Sequence, residues 1–397
     1  MLFAILSPTN WTVDVGRTHA HITDEAARVL LINRHHHRRG SRHGLSDDQN
    51  RTVSIDPTLS EARFLTESAC RMINTLYHYS SHRPLEQTAR LRNWVDDTLI
   101  FATYCESDAH LRHACILVES IREFAGVYGR APVRVYLPEM YEPTASSLVD
   151  RLHGQEVSIH TVAVPENMRR WPFAGKVCAA AIAEQQALGM ARVLVWMDED
   201  TVVLQPPTEL ALSGRQLLAC RPVMHNRSGS AMSEPPDKFW TRVYELTELH
   251  EMQLFPMTTV ADKVTIRPYF NAGLLAARPE IGFLRNWPAV FETLSEDSHL
   301  ADLCRREAHW HLFLHQAALV GAILNLTDRH HLLELDDRYN YPLFFDRYRP
   351  ASRQFNDLTE VVTLRYGDAF YKPNPEWTSE VAASTEILTW LAQRLGQ

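Results

Sequence analysis

Apolar positions fall into two regimes along this chain. Residues 1 to about 55 hold no sustained period, and the run from Asn33 to Gly44, with His35, His36 and His37 among arginines, reads as a basic, solvated segment. Residues 59–79 and 85–94 carry helical spacing. From Thr98 short apolar runs alternate with longer helical ones: 99–103, 133–137, 157–162 and 193–197 predict strands, and 111–124, 144–152 and 175–188 predict helices between them. Hydrophobicity in those strands is continuous rather than alternating, which marks burial on both faces, as in a parallel sheet. Strands alternating with helices imply βαβ units. Right-handed crossovers then bring the carboxyl ends of the strands, Thr103 and Asp198 included, to one rim. After Pro207 the pattern is mixed, with strands at 216–221 and 270–276 and helices near Phe239, at 281–294 and at 312–324. Residues 225–236 have a loop composition, and 379–395 form an amphipathic helix. The organisation expected is a flexible basic leader (1–55), a helical extension (56–97), an α/β domain (98–378) with halves 98–207 and 208–378, and a C-terminal helix (379–397).

Composition narrows the function classes. A chain of 397 residues, 45% hydrophobic and 22% charged, has material for a large core. A net charge of −8 argues against a nucleic-acid partner. Six cysteines are scattered without a C-x-x-C pair, the pattern of reduced, buried thiols. No apolar run approaches the roughly 18 residues of a membrane span. A cytoplasmic protein without an integral membrane segment is expected.

The chemistry concentrates after the strand that ends at Met197. Asp198-Glu-Asp200 places two carboxylates two residues apart where a buried strand should end. Ligands of open α/β sheets bind just beyond such ends. Carboxylate oxygens suit magnesium or manganese, and such an ion commonly carries a diphosphate. A solvated acidic turn fits the same residues when they are taken alone. The chain has no G-x-G-x-x-G and no G-x-x-x-x-G-K-[ST], so phosphate is not held on a glycine-rich loop of either kind.

Five segments in order resemble glycosyltransferases of the A-type (GT-A) fold, especially family 8-like nucleotide-diphospho-sugar transferases. Leu99 to Tyr104 resembles the first strand and the loop at the nucleotide base. Trp171-Pro-Phe-Ala-Gly-Lys176 resembles the helix start from which a lysine reaches the donor. Trp196 to Leu204 is similar to the metal-binding Asp-x-Asp with its following strand, and Tyr269-Phe-Asn271-Ala-Gly273 to the strand lining the sugar pocket. His315-Gln316 and Leu335 to Pro342 look like the Asp-Gln helix and the Tyr-Asn segment after it.

The resemblance implies a Rossmann-like mixed sheet and transfer of a sugar from a nucleotide-diphosphate donor, UDP-linked, to a glycan or other hydroxyl acceptor. It implies Thr103, Tyr104, Lys176, Asp198, Asn271, Gly273 and Gln316 as donor-binding residues, and Arg365, a departure from the family pattern, is a further donor-binding candidate. Asp198, Asp200 and Gln316 are implied as catalytic, and Mn2+ or Mg2+ is implied on Asp198 and Asp200, with Asp368 as the candidate third ligand. Glu199 should point away from the two aspartates, by alternation along an extended segment.

Two departures stand out. His315 replaces the usual aspartate, and Arg365-Tyr366 stands where the family offers a His-Tyr pair whose histidine ligates the metal. Arginine stays protonated and cannot ligate. Asp368 completing the shell, a cation with fewer protein ligands, and Arg365 contacting the diphosphate directly are the readings left open. His309, His311 and His315 read as packed or capping histidines, and Trp171, Trp310 and Trp377 as core or rim. Asp336, Asp337 and Asp368 are candidates for a general base. Two alternatives from other classes are a catalytically silent nucleotide-sugar or glycan binder and a haloacid dehalogenase-type phosphotransferase using Asp198 and Asp200.

Overall fold

The computed structural model describes residues 2–6, 11–15, 18–22, 98–144, 146–343, 357–367 and 382–395. The chain divides into two compact units, Met1–Thr88 and Ala89–Gln397. In the first, β1 (Leu2–Leu6), β2 (Trp11–Val15) and β3 (Thr18–Ile22) form an antiparallel meander, with Leu2 opposite Val15 and Trp11 opposite Ile22. No element is expected there from the sequence, because strands this short show no period against polar flanks. The helices expected at 59–79 and 85–94 and the histidine run lie outside the described residues.

In the second unit β4 (Leu99–Tyr104), α1 (Asp108–Phe124), β5 (Val133–Pro138), α2 (Ser146–His153), β6 (Val157–Val162), α3 (Ala174–Ala187) and β7 (Val193–Met197) follow one another as expected, within a few residues. α1 starts early because Ser107 caps it, its Oγ accepting the His110 N–H at 3.2 Å. Next come β8 (Thr201–Val203), β9 (Leu218–Cys220), α4 (Lys238–Leu246), β10 (Met257–Thr258), β11 (Thr265–Ile266) and β12 (Leu274–Ala277). Then α5 (Phe283–Glu296), α6 (Ser298–Arg306), α7 (Ala308–Leu324), β13 (Leu332–Glu334), β14 (Tyr341–Pro342), β15 (Thr363–Arg365) and α8 (Thr385–Leu395) complete the unit.

Seven strands form one mixed sheet in the order β13-β9-β12-β7-β4-β5-β6. β12 alone is reversed, antiparallel to β7 and β9, while the other neighbours are parallel. Alternate residues of each central strand enter opposite apolar layers. Ile100, Ala102, Leu194 and Trp196 pack with α3, α5 and α7, whereas Leu99, Phe101, Val193 and Val195 pack with α1 and α2. Both faces are covered, which is why these strands read as unbroken apolar runs. The expected α/β mixed-sheet class is the one observed.

A second, three-stranded sheet, β14-β15-β8, lies beyond the end of β7, with Arg365 of β15 opposite Thr201 of β8. Its apolar residues join Ile387 and Leu391 of α8 in a third cluster. The sequence holds no readable sign of β14 or β15, which are two and three residues long.

Other differences have local causes. The strand expected at 270–276 begins only at Leu274, because the Asn271 side chain takes the Gly273 N–H and turns the chain. α6 separates two expected helices, capped by Asp297, whose Oδ1 accepts the Leu300 N–H at 2.9 Å. Among the described residues no helix is long and apolar enough to cross a membrane. Cys105, Cys115, Cys178, Cys220 and Cys304 are buried and unpaired, in line with reduced thiols; Cys70 lies outside the described residues.

Candidate active site

After Met197 the chain turns, and the Thr201 N–H donates to the Asp198 carbonyl at 3.2 Å. The Asp198 N–H donates to the Gly273 carbonyl at 2.8 Å, continuing the register that pairs Met197 with Leu274. Because β12 is reversed, its beginning meets the end of β7, and Asn271 and Gly273 thereby reach the carboxyl rim. Residue 273 has no room for a side chain: a Cβ would stand 2.8 Å from Asp198 Oδ2 and 3.0 Å from Arg365 Nη1. Asn271 Oδ1 accepts from the Gly273 N–H at 2.8 Å and from Asn340 Nδ2 at 3.1 Å.

Lys176 enters from the first turn of α3, where a positive charge opposes the helix dipole. It is nevertheless buried, 8% exposed, and its ammonium pairs with Asp198 Oδ1. Helix propensity does not account for a lysine in that place; the charge of Asp198 does. Arg365 arrives from β15. Its Nε lies 3.1 Å from Asp200 Oδ2 and its Nη2 3.2 Å from Asp198 Oδ2, so one guanidinium spans both carboxylates. Gly367 lets the chain lie against Asp200, since a Cβ there would come 2.7 Å from Oδ2.

Burial opposes ionisation of Asp198, but Lys176 and Arg365 outweigh it and hold that carboxyl below the usual range. At Asp200 burial prevails over Arg365, the Asp198 charge adds to it, and the carboxyl is raised. Glu199 is pushed up to about 8 by burial and by the charges of Asp200 and Asp198; His110 Nδ1 stands 3.5 Å from its Oε1. His315, 2% exposed, is pushed down to about 3 by burial and then by Lys176, so its imidazole is neutral.

A cavity of about 760 Å³ opens above these groups. Lys176, Asp198, Asp200, Asn271, Gly273, Gln316 and Arg365, all expected from the sequence, line it together. Thr103 and Tyr104 do not. β4 lies inside the sheet between β7 and β5, Thr103 is fully buried, and Tyr104 packs against α3 at Gly175. Glu199 borders the cavity although alternation turns it away, because residues 198–200 form a turn and not an extended strand. Asp337 is held by Arg221 Nη2 at 2.8 Å and Asp336 by Arg338; neither lines the cavity. Asp368 and Trp377 lie outside the described residues.

His311 packs on Trp171 at 5.0 Å, His315 on Phe173 at 4.3 Å, and Trp310 on Phe239 at 5.0 Å, the packed roles expected. Sequence reasoning misses His110 and His113 of α1 and His225, Arg227 and Ser228 of the 225–236 loop, which also line the cavity. The available signal was the polar loop that follows β9, a strand ending on the same rim.

The expected Mn2+ or Mg2+ site can be tested against these groups. Among the described residues no three His, Cys, Asp or Glu side chains gather to hold a metal. Asp200 Oδ1 is buried with no hydrogen-bond partner, a feature that favours a cation. Asp198 Oδ1, Asp198 Oδ2 and Asp200 Oδ2 are all in ion pairs, however. These small hard cations want about six oxygens in near-octahedral array. A divalent ion bridging the two carboxylates would stand where the guanidinium stands. The described residues therefore do not fit the expected ion.

Sequence comparison with curated proteins finds no match. Among solved structures, the apo bifunctional glycosyltransferase WbbM aligns with 80% of this chain at 14% identity and a TM-score of 0.46; the aligned part is 51% of WbbM, so the chain spans about half its length. The galactosyltransferase LgtC, solved with donor and acceptor sugar analogs, aligns with 75% of this chain and 95% of its own at 15% identity and a TM-score of 0.38. Mouse xyloside xylosyltransferase 1, apo form, aligns with 70% of this chain and 99% of its own at 13% identity and a TM-score of 0.38. Residues 101–326, running from β4 through α7 and carrying Lys176, Asp198, Asp200, Asn271 and Gln316, match the family model described as Rhodobacterales glycosyltransferase domain. That match covers more than half of the chain, so the chain belongs to this family and is a glycosyltransferase.

Proposed function

We propose that the chain moves a sugar from a nucleotide-diphospho-sugar, UDP-linked, to a hydroxyl of a glycan or other acceptor, in the cavity above Asp198 and Asp200. One observation carries this reading. Two carboxylates at the end of β7 share a single cavity with two cationic side chains and two amides brought from α3, β15, the start of β12 and α7. Phosphate needs positive charge, and sugar hydroxyls need groups that both donate and accept. When the bond from the anomeric carbon to the diphosphate breaks, negative charge grows on the leaving oxygens. Lys176 and Arg365 are preorganised to stabilise it, already paid for by their pairing with Asp198 and Asp200. Asn271 and Gln316 orient the sugar. Asp198, kept ionised, accepts from a sugar hydroxyl. Residues 208–378 supply the acceptor side. The buried, unpaired thiols fit a reducing, cytoplasmic compartment.

The test is release of free sugar from a panel of nucleotide sugars by the full chain. Hydrolysis of one donor is expected, lost in Asp198→Asn. Tight donor binding with no turnover for any acceptor or for water would establish the silent binder instead. Cleavage of phosphomonoesters alone would establish the phosphotransferase, whose nucleophile would have to be an aspartate already engaged by Arg365.

A further inference from the structure

Resting on the nucleotide-sugar reading, we infer that Arg365, with Lys176 behind it, takes the place of a divalent cation, so that this chain holds its nucleotide diphosphate without a metal. Three observations meet here. First, the guanidinium bridges Asp198 and Asp200 at 3.2 and 3.1 Å, the position a shared cation would take. Second, the layering is directional. The side chains of Asp198 and Asp200 are 10% and 8% exposed and that of Arg365 is 31% exposed, so a ligand entering the cavity meets the cation before the carboxylates. Third, among the described residues the two carboxylates are each paired with a cation, Asp198 with Lys176 and Arg365 and Asp200 with Arg365, whereas bare carboxylates would repel a diphosphate at the point where its oxygens must sit. The carboxylates then orient the bases and leave phosphate contact to them.

The local sequence is arranged for this. Gly273 and Gly367 flank the cluster, and a Cβ at either would fall within 3.0 Å of Arg365 Nη1 or of Asp200. The missing side chain at 273 leaves room for a planar guanidinium and that at 367 for the Asp200 carboxylate it pairs with. The guanidinium fork matches phosphate oxygens as a point charge does not. Arg365 is placed by β15 opposite Thr201, one residue from Asp200, a register that does not depend on a bound ion.

Isothermal titration of the full chain with UDP, GDP, ADP and dTDP, each with EDTA and again with manganese, decides the matter. At least one nucleotide is expected to bind in EDTA, with an affinity that manganese changes by less than about threefold, or ~0.7 kcal/mol. Arg365→Met should weaken that binding by about ten- to a hundredfold, the cost of losing charge-assisted hydrogen bonds. Arg365→His should bind poorly in EDTA and regain affinity with manganese, since imidazole can ligate where guanidinium cannot. Circular dichroism checks that both variants fold, and the wild-type comparison stands without them. Binding by wild type only when manganese is present would overturn the inference and leave the nucleotide-sugar reading intact. Binding of none of the four nucleotides under either condition would sink that reading, and this inference with it.

Discussion

Asp198 and Asp200 hold two cationic side chains in register above β7, so an amide at either position should cost activity without unfolding the chain. We expect Asp198→Asn and Asp200→Asn each to reduce donor hydrolysis about a hundredfold or more, the scale of removing one preorganised polar group from such a site. Near-normal turnover in both would remove the pair from the chemistry. Asp198→Asn should be the more damaging, because it releases both Lys176 and Arg365, whereas Asp200 is ion-paired, among the described residues, with Arg365. Gly175 is constrained by packing. A Cβ there would overlap the Tyr104 ring, which lies flush on the first turn of α3. Gly175→Ala should lower stability by about 1–3 kcal/mol, as overpacking does. An unchanged melting temperature would mean that Tyr104 swings aside freely. Both predictions use the motif Trp171 to Lys176, in which Gly175 sets the packing and Lys176 the charge.

At the scale of elements, α3 does more than present Lys176. α5 begins at Gly282 without a side-chain cap of its own, and Glu184 of α3 supplies one, its Oε2 accepting the Arg285 N–H at 2.7 Å. Glu184 is fully buried, and burial, opposed by the bond and charge of Arg285, pushes its carboxyl up from 4.5 to about 7. The sign follows from linkage. A folded-state value above the unfolded one means that the native state binds the extra proton. The associated stability is thus complete below about pH 4.5 and is lost as pH rises through about 7. The shift is on the order of 3 kcal/mol at about 1.4 kcal/mol per unit. Glu184→Gln should remove this component, so the difference in unfolding free energy between mutant and wild type should change with pH between about 4.5 and 7 and be flat outside that window. A difference independent of pH would show that Glu184 does not titrate there. No motif draws notice to this pairing, because it joins residues that become neighbours only when α3 packs against α5.

For the whole molecule, the site is assembled from segments that tertiary structure gathers onto one rim. Every described residue that lines the cavity lies at Glu106 or beyond. A chain cut near Arg51 by limited proteolysis is therefore expected to keep donor hydrolysis within about twofold of the intact chain, although the segment removed holds the β1–β3 meander. Loss of activity after a clean cut would assign the leader to acceptor binding or to closing the site. The trace is read by mass spectrometry of the fragment and by sugar release.

The sequence by itself determined the α/β class, because strands buried on two faces and helices buried on one leave different apolar periods. It also singled out Asp198 and Asp200, because paired carboxylates at the end of a buried strand cost solvation that needs a partner, and it marked Lys176, Asn271, Gly273 and Gln316 through motif order. Tertiary structure alone decided the rest. β12 is antiparallel, a fact with no local signature, and only that reversal sets Asn271 and Gly273 beside Asp198. Thr103 and Tyr104 sit at a strand end and still do not line the cavity: Thr103 is fully buried and Tyr104 packs on α3 at Gly175, so side-chain environment follows from packing and not from position along β4. Arg365 is the plainest case. Its three-residue strand is too short to show a period, and its partners lie far away in the chain. What it does depends on a register against β8 that only the folded chain supplies, since ion pairs are set by distance in space and sequence spacing does not encode that distance.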